Sequence, residues 1–175
     1  MNVDAVAHAA GAEIRPVPAR VAVAVLAGFA AAALARTVMS LLPEGDAAPR
    51  IAVAAAWPDA PSNVVPAASH SAHYLSGILA AVATELLLVA VEGLRTVEVL
   101  VLGWVSVARI AASAAVAVAV AAVFAGAVLP RVGPKRSPRY EERVGGIRRD
   151  ATVAAIAYGV VLAAVTPALY LLLPV

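Results

Sequence analysis

VATELLLVAVEGLRTVEVLVLGWVSVARIAAS, residues 82–113, carries Glu85 and Arg109 inside an otherwise apolar run. Charges are costly in apolar surroundings, so the first question is what solvent the run meets. The chain has 175 residues, 63% of them hydrophobic, and a mean hydropathy of +0.91. Soluble domains are about 45–50% apolar. A chain this apolar has too little polar surface to cover a water-facing globule, and lipid as the solvent for much of it accounts for the excess.

Working outward from residues 82–113, four stretches approach the roughly 20 apolar residues that cross a hydrocarbon core of about 30 Å. They are residues 21–42, 73–91, a part of 97–129, and 151–173. Backbone polar groups in lipid must be satisfied within the segment, so these are expected to be helices. The alternation of a membrane β-barrel strand is missing from them. The predicted fold is therefore an all-α, polytopic transmembrane bundle of about four spans. Residues 1–20 form an N-terminal segment and 21–175 a single membrane domain. Read as a signal peptide, residues 1–42 would be long, with basic residues that come late, so span one is expected to stay uncleaved.

The link EGLR between spans two and three is short and predicts an antiparallel hairpin. Residues 43–72 hold five prolines and are expected to be irregular, with a short interfacial piece at 51–57. Residues 130–150 are basic, contain Pro and Gly, and read as a solvated loop. Thirty-three helical residues over 97–129 would reach about 50 Å, well beyond the core. That leaves two alternatives: a long tilted helix with Arg109 deep inside, or a span at about 110–129 with 97–108 at the interface or dipping in. In the second case Arg109 is a headgroup anchor.

Orientation follows from basic residues near the span ends. Arg15, Arg20 and Arg95 lie on one side. Arg50, Arg131, Lys135, Arg136, Arg139, Arg143, Arg148 and Arg149 lie on the other. The 43–72 and 130–150 loops are thus predicted cytoplasmic, in a multi-pass protein of the cell membrane.

Few side chains suit chemistry. Tyr74, Ile78, Ala81 and Glu85 share one helical stripe, and Ser106, Arg109 and Ser113 another. Across a hairpin these stripes can face each other and form a buried polar pair, Glu85 with Arg109. Counted from the turn, the two residues differ in depth by about 10 Å, part of which an arginine side chain can close. The pair is either an ion pair that sets the hairpin's register or the lining of a polar path. His70 and His73, in SHSAH, could share a helix face and ligate zinc, copper or haem, but the nearby Glu44, Asp46 and Asp59 have no ligand-like spacing. Ser69 or Ser71 would then cap the helix start. Arg36 is expected to snorkel toward Pro43. Pro167 should kink span four, with Thr166 or a neighbour satisfying the freed carbonyl.

There is no Cys, no G-x-S-x-G, no H-E-x-x-H and no phosphate-binding glycine motif. A net charge of +2, without interleaved aromatics, gives no reason to expect nucleic acid. The expected partners are the bilayer and either further copies of the chain or other membrane subunits, with no cofactor. Function is expected to be that of a non-enzymatic accessory or transport-related component of a membrane assembly. The alternatives are a redox or metal protein using His70 and His73, or an interfacial enzyme. With its four spans, twelve Arg to one Lys, and the late helix AYGVVLAAVTPALY, the chain resembles uncharacterised small four-span membrane proteins of halophilic archaea and actinobacteria.

Overall fold

The computed structural model describes residues 15–91, 99–101, 103–136 and 139–173. In order these form α1 (Val17–Ser40), α2 (Ala47–Ala56), α3 (Val65–Val91), β1 (Leu100–Val101), β2 (Val105–Ser106) and α4 (Val107–Val123). A π-helical turn at Phe124–Val128 joins α4 to α5 (Leu129–Arg136), and α6 (Tyr140–Leu172) completes the chain. Four helices are long and apolar enough to cross a membrane: Val17–Ser40, Val65–Val91, Val107–Lys135 and Tyr140–Leu172. The chain is an all-α, multi-pass membrane protein.

The helices start where proline permits. Pro16 precedes α1 and Pro18 lies in its first turn, where no backbone N–H is needed. α3 starts at Val65, with Pro66 in its first turn, eight residues before the apolar run at 73. Ser69 and Ser71 therefore do not cap this helix. They lie inside it, and the Ser69 hydroxyl donates to the Val65 carbonyl at 2.7 Å. The 43–72 segment is more ordered than its prolines suggest, because Asp46 leads into the ten-residue α2. Nor is 130–150 a loop. Arg139, in the left-handed region at φ 52°, turns the chain from α5 into α6, whose first turn carries Glu141 and Glu142. Acidic side chains there favour the positive end of the helix.

Of the two alternatives for 97–129, the long helix from 97 is excluded. Leu100 pairs with Ser106 and Val101 with Val105 in an antiparallel hairpin, with Gly103 at φ 77° at its tip. Ser106 then caps α4 by accepting from the Arg109 backbone N–H at 3.1 Å. The predicted EGLR link lies outside the described residues. α6 runs on through Pro167. Thr166 donates to Leu162 at 2.8 Å, so the carbonyl it satisfies is not that of Ala163, which Pro167 deprives of its usual donor.

α1 packs on α3 and α6, and α4 packs on α6 and α3. The size pattern is that of a protein in lipid. Small side chains (Ala24, Ala27, Ala31, Ala35 and Ala81) fill the centre with Tyr158 and Leu162. Large ones such as Leu26, Phe29, Leu79 and Val160 face outward. Apolar tails give no hydrophobic reason to hide leucine, so close van der Waals contact drives helix association. Gly28 and Gly77 mark the closest approach of α1 and α3. A Cβ at Gly28 would lie 2.8 Å from both the Ala81 Cβ and the Ile78 Cα. At the other end of the bundle Ile51, Leu129 and Ile147 form a second core that seats α2.

Gly28→Ala is expected to destabilise the protein by about 1–3 kcal/mol through overpacking. Gly126→Ala, where an added Cβ meets nothing within 4 Å, should leave stability unchanged or raise it. Detergent melting curves compare the two, and equal effects would contradict the α1–α3 contact.

Candidate functional site

Two features at different heights in the bundle deserve the name of site: a buried ionic cluster and an apolar cavity. The cluster centres on Glu85, 1% exposed, in the last two turns of α3. Arg109, in the first turn of α4, places Nη1 2.6 Å from Glu85 Oε1. Arg20, in the first turn of α1, places Nη2 3.3 Å from Oε2. The Tyr170 hydroxyl, in the last turn of α6, donates to Oε1 at 3.4 Å. One carboxylate thus joins all four spanning helices. The Tyr170 ring also lies under two guanidiniums, 5.1 Å from that of Arg15 and 5.7 Å from that of Arg109. Arg15 Nη2 donates to the Tyr170 carbonyl at 2.9 Å.

The expected depth mismatch between Glu85 and Arg109 disappears because residues 100–106 fold back as a hairpin and α4 begins only at Val107. Arg109 is 5% exposed and ion-paired, so it is not a free headgroup anchor. Arg20 and Tyr170 escaped the sequence reading. Arg20 looked like a flanking charge, and it joins the cluster because α1 starts at Val17. Tyr170 had a signal in the spacing of Tyr158, Leu162, Thr166 and Tyr170, one buried face at intervals of four.

A second polar network lies at the α2 end. Arg143 donates to Glu44 through Nε at 2.7 Å and Nη2 at 2.5 Å. The Glu44 backbone N–H donates to buried Asp150 at 2.8 Å, and Asp150 also accepts from Arg149 Nε at 2.8 Å. Arg36 turns onto Asp46 and onto His70, whose Nε2 lies 2.9 Å from Arg36 Nη2. His73 Nε2 lies 2.9 Å from the Ala32 carbonyl. The two histidine rings therefore engage different partners. Among the described residues no three His, Cys, Asp or Glu side chains are grouped to hold a metal ion. Hydrogen bonding from Arg143 holds the Glu44 carboxyl below its ordinary range, and Arg36 does the same for Asp46.

Between the two networks lies a cavity of about 510 Å³. Alanines from α1, α3, α4 and α6 make much of its wall, with Phe124 and Val128 from the π turn and with Ala48, Pro49 and Ala52 of α2 at one end. Three of the polar side chains on its wall already have bonds within the protein. Tyr158 donates to the Gly77 carbonyl at 2.5 Å, Ser76 donates to His73 O at 2.8 Å, and His73 meets Ala32 O. The volume lies within the roughly 300–1,000 Å³ typical of small-molecule sites.

Glu85→Ala leaves two buried guanidiniums without their carboxylate and is expected to cost about 3–5 kcal/mol. Arg109→Ala should act in the same direction, and the double variant should lose less than the sum. Strict additivity in a melting assay would rule out the pairing. At the α2 end the sign follows from lowered carboxylate values. The contribution of Glu44 and Asp46 is complete above the unfolded value of about 4 and is lost as pH falls through the folded values. Melting temperature should therefore drop as pH is lowered below about 4, and less steeply in Glu44→Gln. An equal slope in that variant would remove Glu44 from the account. No protein-family model, curated protein or solved structure matches this chain.

Proposed function

We propose that this chain is a non-enzymatic, transport-related or accessory component of a cell-membrane assembly, and that its working part is the apolar cavity, which holds a hydrophobic molecule. The observation that carries this is the bonding of the Tyr158, Ser76 and His73 side chains on a wall that is otherwise almost wholly apolar. General acid–base catalysis needs a side chain directed at the substrate. Ion passage needs carbonyls or charges directed at the ion. A wall whose polar atoms are turned back onto the protein selects by shape and apolarity instead.

The ionic cluster fits a structural role in the same scheme. Glu85 is enclosed by Arg20, Arg109 and Tyr170, which leaves it poorly placed to meet a solute. The basic residues of 43–72 and 130–150 favour the α2 end as cytoplasmic. Four spans enclose little space, which favours work beside further copies or other membrane subunits.

The test is saturable binding of an apolar fluorescent probe, one whose emission rises in dry surroundings, to the purified protein in detergent. One site per chain is expected. Ala155→Trp and Ala80→Phe, both on the cavity wall, should abolish binding while the melting temperature stays within a few degrees of the parent. Absence of saturable binding, or binding untouched in both variants, would overturn the proposal. Single cysteines at positions 55 and 140 test orientation, since the chain has no native Cys. Labelling of both from the cytoplasm is expected.

A further inference from the structure

Resting on that binding function, we infer that the cavity takes one hydrocarbon chain of a bilayer lipid, drawn sideways between α3 and α4 from the leaflet at the α2 end. The first ground is height. The cavity follows α3 from Ala72 to Ala80, and α4 with its π turn from Ala117 to Val128. At 1.5 Å per residue these are about 12 and 16 Å. Half of a 30 Å hydrocarbon core is about 15 Å. The cavity is therefore about one leaflet tall.

The second ground is position. Gly45, Ala48 and Pro49 bound one end. Toward the other end, the α3 lining stops at Ala80, five residues short of Glu85, or about 8 Å. The space is thus bounded before the ionic cluster and does not run through the bundle. An occupant confined to one leaflet suits it, and a solute crossing the membrane does not.

The third ground is the mouth. Ser76 on α3 and Val120 and Val123 on α4 line the cavity and also face outward, with Val120 49% and Val123 61% exposed. The wall is open along this seam, where a membrane protein meets lipid tails. The π turn at Phe124–Val128 borders the same seam and puts Phe124 on the cavity wall. Extra-residue turns of this kind are frequent at working sites.

The fourth ground is chemistry. Tyr158, Ser76 and His73 on the wall are bonded within the protein, and a flexible chain without polar atoms asks for no hydrogen bond.

The experiment reconstitutes the full chain in phosphatidylcholine vesicles doped with a phosphatidylcholine that carries a diazirine in its acyl chain. After illumination, labelled residues are located by mass spectrometry. Labels are expected on the inner residues Gly77, Ala80 and Ala117 as well as on the outer face of the bundle. The inner labels should be lost in both Ala155→Trp and Ala80→Phe, with the outer labels retained. Outer labels alone would overturn the lipid-chain inference. If the fluorescent probe still bound in detergent, that result would leave the binding function standing with a different apolar ligand. Failure of both assays would remove the binding function as well.

Discussion

Glu85 is the constraint around which the bundle is arranged. A carboxylate buried among helices is tolerable only when its oxygens are met by donors. Here the donors come from three other helices: Arg20 from α1, Arg109 from α4 and Tyr170 from α6. Each donor lies in the first or last turn of its helix, so the cluster aligns the ends of all four spans at one height. The Ser106 cap and the short hairpin before it place Arg109 there. Removing the carboxylate would disturb the relative rotation and depth of every spanning helix at once.

Away from that end, packing follows the logic of lipid. The centre is alanine and glycine, and the outside is leucine, valine and phenylalanine. Small residues let α1 and α3 approach through Gly28 and Gly77 until backbone atoms meet. The same preference for alanine leaves space wherever the helices do not converge so closely. Between α3 and α4 that space becomes the cavity. A tight seam between α1 and α3 and an open one between α3 and α4 are two results of one composition.

The α2 end is closed by different means. Ile51 packs against Leu129 and Ile147, while Glu44 and Asp150 tie the turn after α1 to the start of α6. Arg36, Asp46 and His70 add a link between α1 and α3. α2 is thereby held across the cavity's end by an apolar contact and by ion pairs that depend on ionised carboxylates. The two ends of the bundle thus respond to different conditions, one buried from water and the other reached by it.

Hydropathy and the backbone's need for partners were enough to read four helical spans from the sequence, because each is a property of consecutive residues. Helical spacing likewise singled out Glu85 and Arg109 as facing stripes. The sequence could not show that Arg20 and Tyr170 belong with them, since Arg20 is 65 residues from Glu85 and Tyr170 is 85. Nor could it show that 130–150 is mostly helical or that α3 begins at Val65. Prolines and charges there signal a loop locally, and tertiary partners such as Glu44 and Ile51 outweigh that signal. The cavity is the clearest case. It is the volume left between helices whose separation depends on every contact at once, so no stretch of sequence encodes it. The sequence by itself determined the solvent, the number of spans and the cost of Glu85. The tertiary structure alone decided who answers that charge and where the space remains, because both depend on side chains brought together from all four helices.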